Sequence, residues 1–245
     1  PFDTDIDTVI GKATGYCTWN QLNKSSTQLV FNGGLEVGAA SDAWQQVKGT
    51  IGFNSGKYYW EVTPITSTQI NAMIGISDTT ESVTTYPGDD TGHSYVLGGN
   101  KYDAGTYSSG VGSSWVEGDV IGVAVDCDGG TIKYYINNIL QTTSTILTTK
   151  TWMPAISVYY SDSSIPKYST TFGQKPFKYP PPDGYQPLNL ANLPSPGLTR
   201  PDQYMKPILW SGGNSGSGGL TRHISTTFQP DLVWIKQRNQ AYSTG

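Results

Sequence analysis

Asp126 and Asp128 stand two residues apart, a spacing that turns two carboxyl groups to the same side of a strand. Paired acids of that kind cleave glycosidic bonds when they sit about 5–5.5 Å from each other. Here, however, they flank Gly129-Gly130 and read as turn formers. Nucleophilic catalysis is poorly supplied. The only histidines are His93 and His223, and no Gly-x-Ser-x-Gly elbow occurs. His93 lies in a Gly- and Asp-rich loop, where a solvated ring is expected. Two isolated histidines do not make a His-rich zinc site. Cys17 and Cys127, far apart in the chain, cannot supply four thiolates. They read as small buried residues, with a disulfide between them as the alternative. Asp89-Asp90-Thr91 and Asp3, Asp5 and Asp7 are rich in oxygen, which suits Ca²⁺, but neither follows the twelve-residue calcium-loop pattern. They read as exposed turn acids. No glycine motif cradles phosphate. The expectation is therefore no catalytic residue, no metal ion and no cofactor.

Binding is better supplied than catalysis. Tyr86-Pro87-Gly88-Asp89-Asp90-Thr91-Gly92-His93 and Tyr102-Asp103-Ala104-Gly105-Thr106-Tyr107 combine aromatic rings with short polar side chains and glycine. Aromatic faces stack on sugar rings, and neighbouring polar groups bond the hydroxyls. The candidate ligand-binding residues are thus Tyr86, Asp89, Asp90, His93, Tyr102 and Tyr107. A wet, tyrosine-rich surface equally suits contact with a neighbouring subunit.

Strands must position these loops. Charged residues make up only 14% of the 245, and Glu occurs four times, so the helix formers are scarce. Gly and Tyr are abundant, which favours strands and turns. In Lys57–Thr63, Tyr58, Trp60 and Val62 fall on one face while Tyr59 and Glu61 fall on the other, the alternation of a half-buried strand. Val120 to Val125 is apolar on both faces and predicts a central strand. Ile132, Tyr134 and Ile136 share the inner face of a third strand, which Asn137-Asn138 ends in a tight turn. Val47–Phe53, Ile70–Ser77, Ser94–Leu97, Trp152–Tyr159 and Tyr168–Phe172 complete the set. Many short strands split by turn residues, with no 3.6-residue stripe, predict an antiparallel β-sandwich.

After Phe172 the composition changes. Residues 176–207 are proline-rich, including Pro180-Pro181-Pro182, and predict a stiff linker. Beyond it, Ile224–Phe228 and Leu232–Lys236 predict two strands. The organisation expected is a sandwich over 1–175, a linker over 176–207 and the opening of a second β domain over 208–245. The net charge of −4 and the absence of a basic stripe argue against nucleic acid. No apolar run approaches the ~18 residues of a membrane span. Pro1 and Gly245 both look like cut ends, so a piece of a longer protein is expected.

Three phrases, in this order, resemble the signature of the SPRY family. They are Gly56-Lys57-Tyr58-Tyr59-Trp60-Glu61-Val62, then Gly118-Asp119-Val120-Ile121-Gly122-Val123-Ala124-Val125-Asp126. The third is Gly130-Thr131-Ile132-Lys133-Tyr134-Tyr135-Ile136-Asn137-Asn138, with Asn138 where Gly is common. The likeness covers roughly Thr18 to Phe172 and implies a concanavalin-like sandwich. Such sandwiches include glycan hydrolases, but the Glu-x-Asp-x-x-Glu pattern of the laminarinase-like members is absent. Gly15-Tyr16-Cys17-Thr18-Trp19-Asn20 and Asn32-Gly33-Gly34-Leu35 are similar to openings of SPRY domains in bacteriophage structural proteins. Phe228-Gln229-Pro230-Asp231-Leu232-Val233-Trp234-Ile235-Lys236-Gln237-Arg238-Asn239 resembles a phrase that follows them. The resemblance implies a non-enzymatic module of a virion surface, in a tail or capsid fibre. Its partners would be other virion proteins, copies of itself and a host-surface glycan. The alternative is a free lectin-like module, and a glycan hydrolase comes after that.

Overall fold

The computed structural model describes residues 8–9, 12–13, 15–66, 71–160, 165–194, 205–209, 224–226 and 228–235. Strands β1 (Thr8–Val9) and β2 (Lys12–Ala13) form a short antiparallel pair. Fifteen more build two sheets: β3 (Trp19–Lys24), β4 (Gln28–Phe31), β5 (Glu36–Ala39), β6 (Val47–Gly49), β7 (Lys57–Pro64), β8 (Ala72–Asp78), β9 (His93–Val96), β10 (Asn100–Asp103), β11 (Thr106–Ser108), β12 (Ile121–Asp126), β13 (Thr131–Ile136), β14 (Ile139–Thr145), β15 (Trp152–Val158), β16 (Lys167–Thr171) and β17 (Gln186–Pro187). One sheet runs β11-β10-β9-β8-β15-β6-β3. The other runs β14-β13-β12-β7-β16-β5-β4, with β17 added beside β7. Among the described residues every strand pairing is antiparallel except β17 with β7. The only helical pieces among the described residues are two three-residue 3₁₀ turns, Asn32–Gly34 and Leu190–Asn192. The fold is the all-β, concanavalin-like sandwich that the sequence predicts.

Alternation explains the core. Tyr58, Trp60 and Val62 of β7 belong to the buried core, where Trp60 meets Phe172 at 6.2 Å and Tyr58 meets Phe53 at 4.9 Å between ring centroids. Every residue of β12 is buried because it lies between β7 and β13 with both of its faces covered. Asn137 and Asn138 take φ of 48° and 66°. Two successive left-handed residues give the turn whose twist matches a hairpin, so asparagine serves where glycine is usual. The strand expected over Val47–Phe53 ends early at Gly49. Thr50 leaves the ladder, its hydroxyl accepting from the Thr18 N–H at 3.0 Å.

The proline-rich segment behaves differently from a linker over its first half. The compact unit continues to Pro194. Where β16 stops pairing with β7, β17 takes over, setting Gln186 and Pro187 against Tyr58 and Tyr59. The strap 176–188 thus covers the face of β7 that alternation assigned to solvent. Tyr59 and Glu61 are buried. Glu61 accepts from the Lys178 and Tyr179 N–H groups at 2.8 and 3.0 Å and from the Tyr59 hydroxyl at 3.1 Å. Leu188 is fully buried. Residues 15–17 and 188–190 run side by side. Cys17 N–H donates to Leu188 at 3.0 Å, Leu190 N–H donates to Gly15 at 2.9 Å, and Tyr16 bridges Asn189.

Residues 195–245 form a separate unit. Of the two strands expected there, the described residues 224–226 and 228–235 carry none, and Leu232, Val233, Trp234 and Ile235 are exposed. His223 and Lys236 lie outside the described residues.

Candidate functional site

The two tyrosine loops, read separately from sequence, meet on the outer face of β10 and β11. Tyr102 and Tyr107 are directly opposite each other across that pair. Their ring centroids are 5.1 Å apart, and Tyr86 reaches Tyr102 from the loop 79–92 at 4.9 Å. The result is a continuous run of three tilted rings at the sheet edge, with Tyr107 52% exposed. Gly88 permits the approach. It holds φ +101°, and a Cβ there would stand 2.7 Å from Tyr102 Cβ. Burial raises the Tyr86 hydroxyl well above the usual phenol range, and the bond to the Asp89 carboxylate raises it further. Asp89 and Asp90 are exposed beside the rings.

His93 departs from the expectation of a solvated ring. It opens β9 on the inner face and is 4% exposed. Its register partner is Asp103, and Nδ1 lies 3.0 Å from Asp103 Oδ1. The ring edge meets Trp152 at 5.5 Å. The other Asp103 oxygen takes Lys101 Nζ at 2.7 Å and the Ser144 hydroxyl at 2.9 Å, the latter from the opposite sheet. Asp103 therefore ties the two sheets together beneath the tyrosines. Its neighbours Lys101 and Ser144 were not singled out from sequence. The usable signal was Lys101-Tyr102-Asp103, in which alternation places the charges on one face and the ring on the other. The serine bonds the aspartate, so Ser144, His93 and Asp103 do not form a nucleophile–base relay.

Burial alone would raise the Asp103 carboxyl, but the bonds from His93, Lys101 and Ser144 outweigh it and hold the group at about 2. Its folded value lies below its unfolded one. The stability it contributes is therefore present above 3.8 and is lost as the pH falls from 3.8 toward 2. We expect Asp103→Asn to lower the melting temperature at pH 7 and to flatten its fall over that acid interval. An unchanged acid limb in the variant would refute the assignment.

The loop 79–92 that carries Tyr86 is anchored from below. Lys48 is fully buried, and its ammonium donates to the carbonyls of Asp78 and Glu81 at 2.6 and 2.5 Å. Gln46 bonds Ser82 O through its side chain and Val83 O through its backbone. Glu81 accepts from Ser77 Oγ at 2.5 Å and from the Asp90 N–H at 3.3 Å. Sequence patterning gives no sign of Lys48, because a buried lysine looks like any surface one.

Asp126 and Asp128 are occupied as turn formers. Asp126 pairs with Lys57 at 2.8 Å and accepts from the Gly129 N–H at 2.7 Å, while Asp128 accepts from the Gly56 N–H at 3.1 Å. Among the described residues no group of three or more His, Cys, Asp or Glu side chains gathers as a metal site would require. The Asp3, Asp5 and Asp7 candidates lie outside the described residues. No described helix is long and apolar enough to cross a membrane. Cys17 and Cys127 are separate buried thiols rather than a disulfide. Burial pushes Cys17 up to about 11 and Cys127 up to about 12. Both are then protonated at neutral pH and inert. In the folded protein neither is expected to react with a thiol-selective disulfide reagent, and both react after denaturation. Rapid labelling before unfolding would contradict this.

Residues 57–174 match the model of the SPRY domain. Three solved structures share the fold. The TRIM65 PSpry domain is 14% identical with a TM-score of 0.53, covering 64% of this chain and 89% of that one. The SPRY domain of human HERC1 is 19% identical with a TM-score of 0.51, covering 64% and 99%. Stonustoxin is 16% identical with a TM-score of 0.51, covering 64% of this chain but 27% of its own.

Proposed function

We infer, starting from a chain that carries a SPRY domain over residues 57–174, that it is a non-catalytic interaction module of a virion surface protein. A SPRY domain implies a protein-interaction module. The observation that carries the finer reading is the run of Tyr86, Tyr102 and Tyr107, in which Tyr102 touches both other rings at an outer strand pair. Rigid aromatic rings supply large contact area at small entropic cost, and they dominate interface energetics. Asp103 and Lys48 fix the strands and the loop beneath the rings, so the surface is formed before any partner arrives. The virion setting, in a tail or capsid fibre, rests on the phrases Gly15–Asn20, Asn32–Leu35 and Phe228–Asn239. The partners of the tyrosine edge are other virion proteins or further copies of this chain.

Electron microscopy of purified particles tests this reading. The sandwich should occupy repeated positions on the particle exterior, with the tyrosine edge at a protein contact. Tyr107→Ala should lower its occupancy at least roughly tenfold, the loss expected of a central aromatic contact. A chain found only free of particles would refute the virion assignment. Full occupancy by the Tyr107→Ala protein would refute the role of the edge.

A further inference from the structure

At the opposite lateral edge of the sandwich, where β3 and β4 end the two sheets, lies a shallow cleft of about 390 Å³. It lies within the usual size range of small-ligand sites. None of the side chains lining it carries a charge. Asn20, Gln21 and Asn32 contribute amides, Thr18 and Thr50 hydroxyls, and Phe31 an apolar wall.

Each amide is fixed through one end and presents the other. Gln21 Nε2 donates to Val30 O at 3.0 Å, which leaves Oε1 to accept. Asn20 Oδ1 accepts from the Leu22 N–H at 2.9 Å, which leaves Nδ2 to donate. Asn32 Nδ2 donates to Glu36 at 3.0 Å, which leaves Oδ1 to accept. Thr50 is held by the Thr18 N–H. Donors and acceptors are thus set in place before binding, and little side-chain freedom is lost when a ligand arrives. The turn Asn32-Gly33-Gly34 is left-handed throughout, at φ 49°, 64° and 83°. A Cβ on Gly33 would meet nothing within 4 Å, so a ligand can approach its backbone closely.

We propose that this cleft is a binding site for a neutral glycan. A sugar hydroxyl both donates and accepts, and a row of them matches the one amide donor and two amide acceptors left here. An anionic ligand finds no cation in the lining, and a peptide finds neither a charged partner nor a deep apolar pocket for its side chains. The site is independent of the tyrosine edge, which lies at the other end of both sheets.

The test is titration calorimetry of the full chain with maltohexaose, cellohexaose, xylohexaose and laminarihexaose, with an oligogalacturonate and a neutral hexapeptide as rivals. At least one neutral hexasaccharide should bind with a Kd below about 1 mM, the weak end of specific recognition. Gln21→Ala and Asn20→Ala should each weaken it at least fivefold with an unchanged melting temperature. Gly33→Asn, which fills the open space at a left-handed position asparagine tolerates, should abolish it. Tyr107→Ala should leave it intact. Binding of none of the four sugars, tighter binding of the oligogalacturonate or the peptide, or loss of sugar binding only in Tyr107→Ala would each overturn the proposal. None of these outcomes bears on whether the tyrosine edge contacts a virion protein.

Discussion

A chain ended after Lys175 will melt at least roughly 8 °C below one ended after Pro194. The shorter chain lacks the strap. It loses Leu188, whose full burial is worth about 1.5–3 kcal/mol. It also strips Glu61 of the Lys178 and Tyr179 N–H groups while the carboxylate still lies against the sheet. Hydrogen bonds to a charged group are worth about 1.5–3 kcal/mol each. Together these losses reach at least about 4 kcal/mol, against a typical total stability of about 5–15 kcal/mol. The bared face of β7 carries Tyr59, which packs on Phe177 at 5.1 Å in the intact unit, so association should follow. Calorimetry of the two truncated chains decides the matter. Equal melting temperatures would show that the strap is only a linker.

The second large effect belongs to Lys48→Met. Methionine fills most of the space but donates nothing. The carbonyls of Asp78 and Glu81 lose their buried donor, and the Glu81 carboxylate loses its nearby cation. Breaking a buried charge set by removing one member costs about 3–5 kcal/mol. The loss falls on the loop 79–92, so Tyr86 should leave Tyr102 and the tyrosine run should shorten to two rings. Hydrogen exchange reads this directly at the Gln46 amide, which donates to Val83, and at the Asp90 amide, which donates to Glu81. Both should exchange far faster in the variant. Retained protection at both sites would mean that the loop is held by other contacts.

The strands were legible because their code is local. Alternation in Lys57–Thr63 and a doubly apolar run in Val120–Val125 name the faces without reference to any partner. The strap was not legible, because proline content records only that a segment is extended, and an extended segment is equally a linker or an added strand. Leu188 fills its site on the sheet alone, and no period announces a single residue. For the same reason Glu61 read as solvent-facing, although its place beside Tyr59, on the face opposite Trp60, was correctly assigned to the outer side. His93 was misjudged because its neighbours Gly92 and Asp90 suggest a loop, whereas its environment is set by Asp103 ten residues away. The tyrosines were legible as types, but their contact depends on the register that sets Tyr102 against Tyr107.

Gly15, Tyr16 and Cys17 lie alongside Leu188, Asn189 and Leu190 and clasp the two ends of the sandwich together. Tension applied between them acts as an unzipping force and loads one hydrogen bond at a time. The clasp therefore yields at low force, while the sheets behind it are still intact. With the clasp closed, the whole domain adds almost nothing to the contour of a chain pulled at these two points. Fully drawn out, the residues between Cys17 and Leu188 span on the order of 600 Å. The sandwich is in this sense a reserve of length, hung to one side of the tensioned path and released only under a pull that outlasts the clasp.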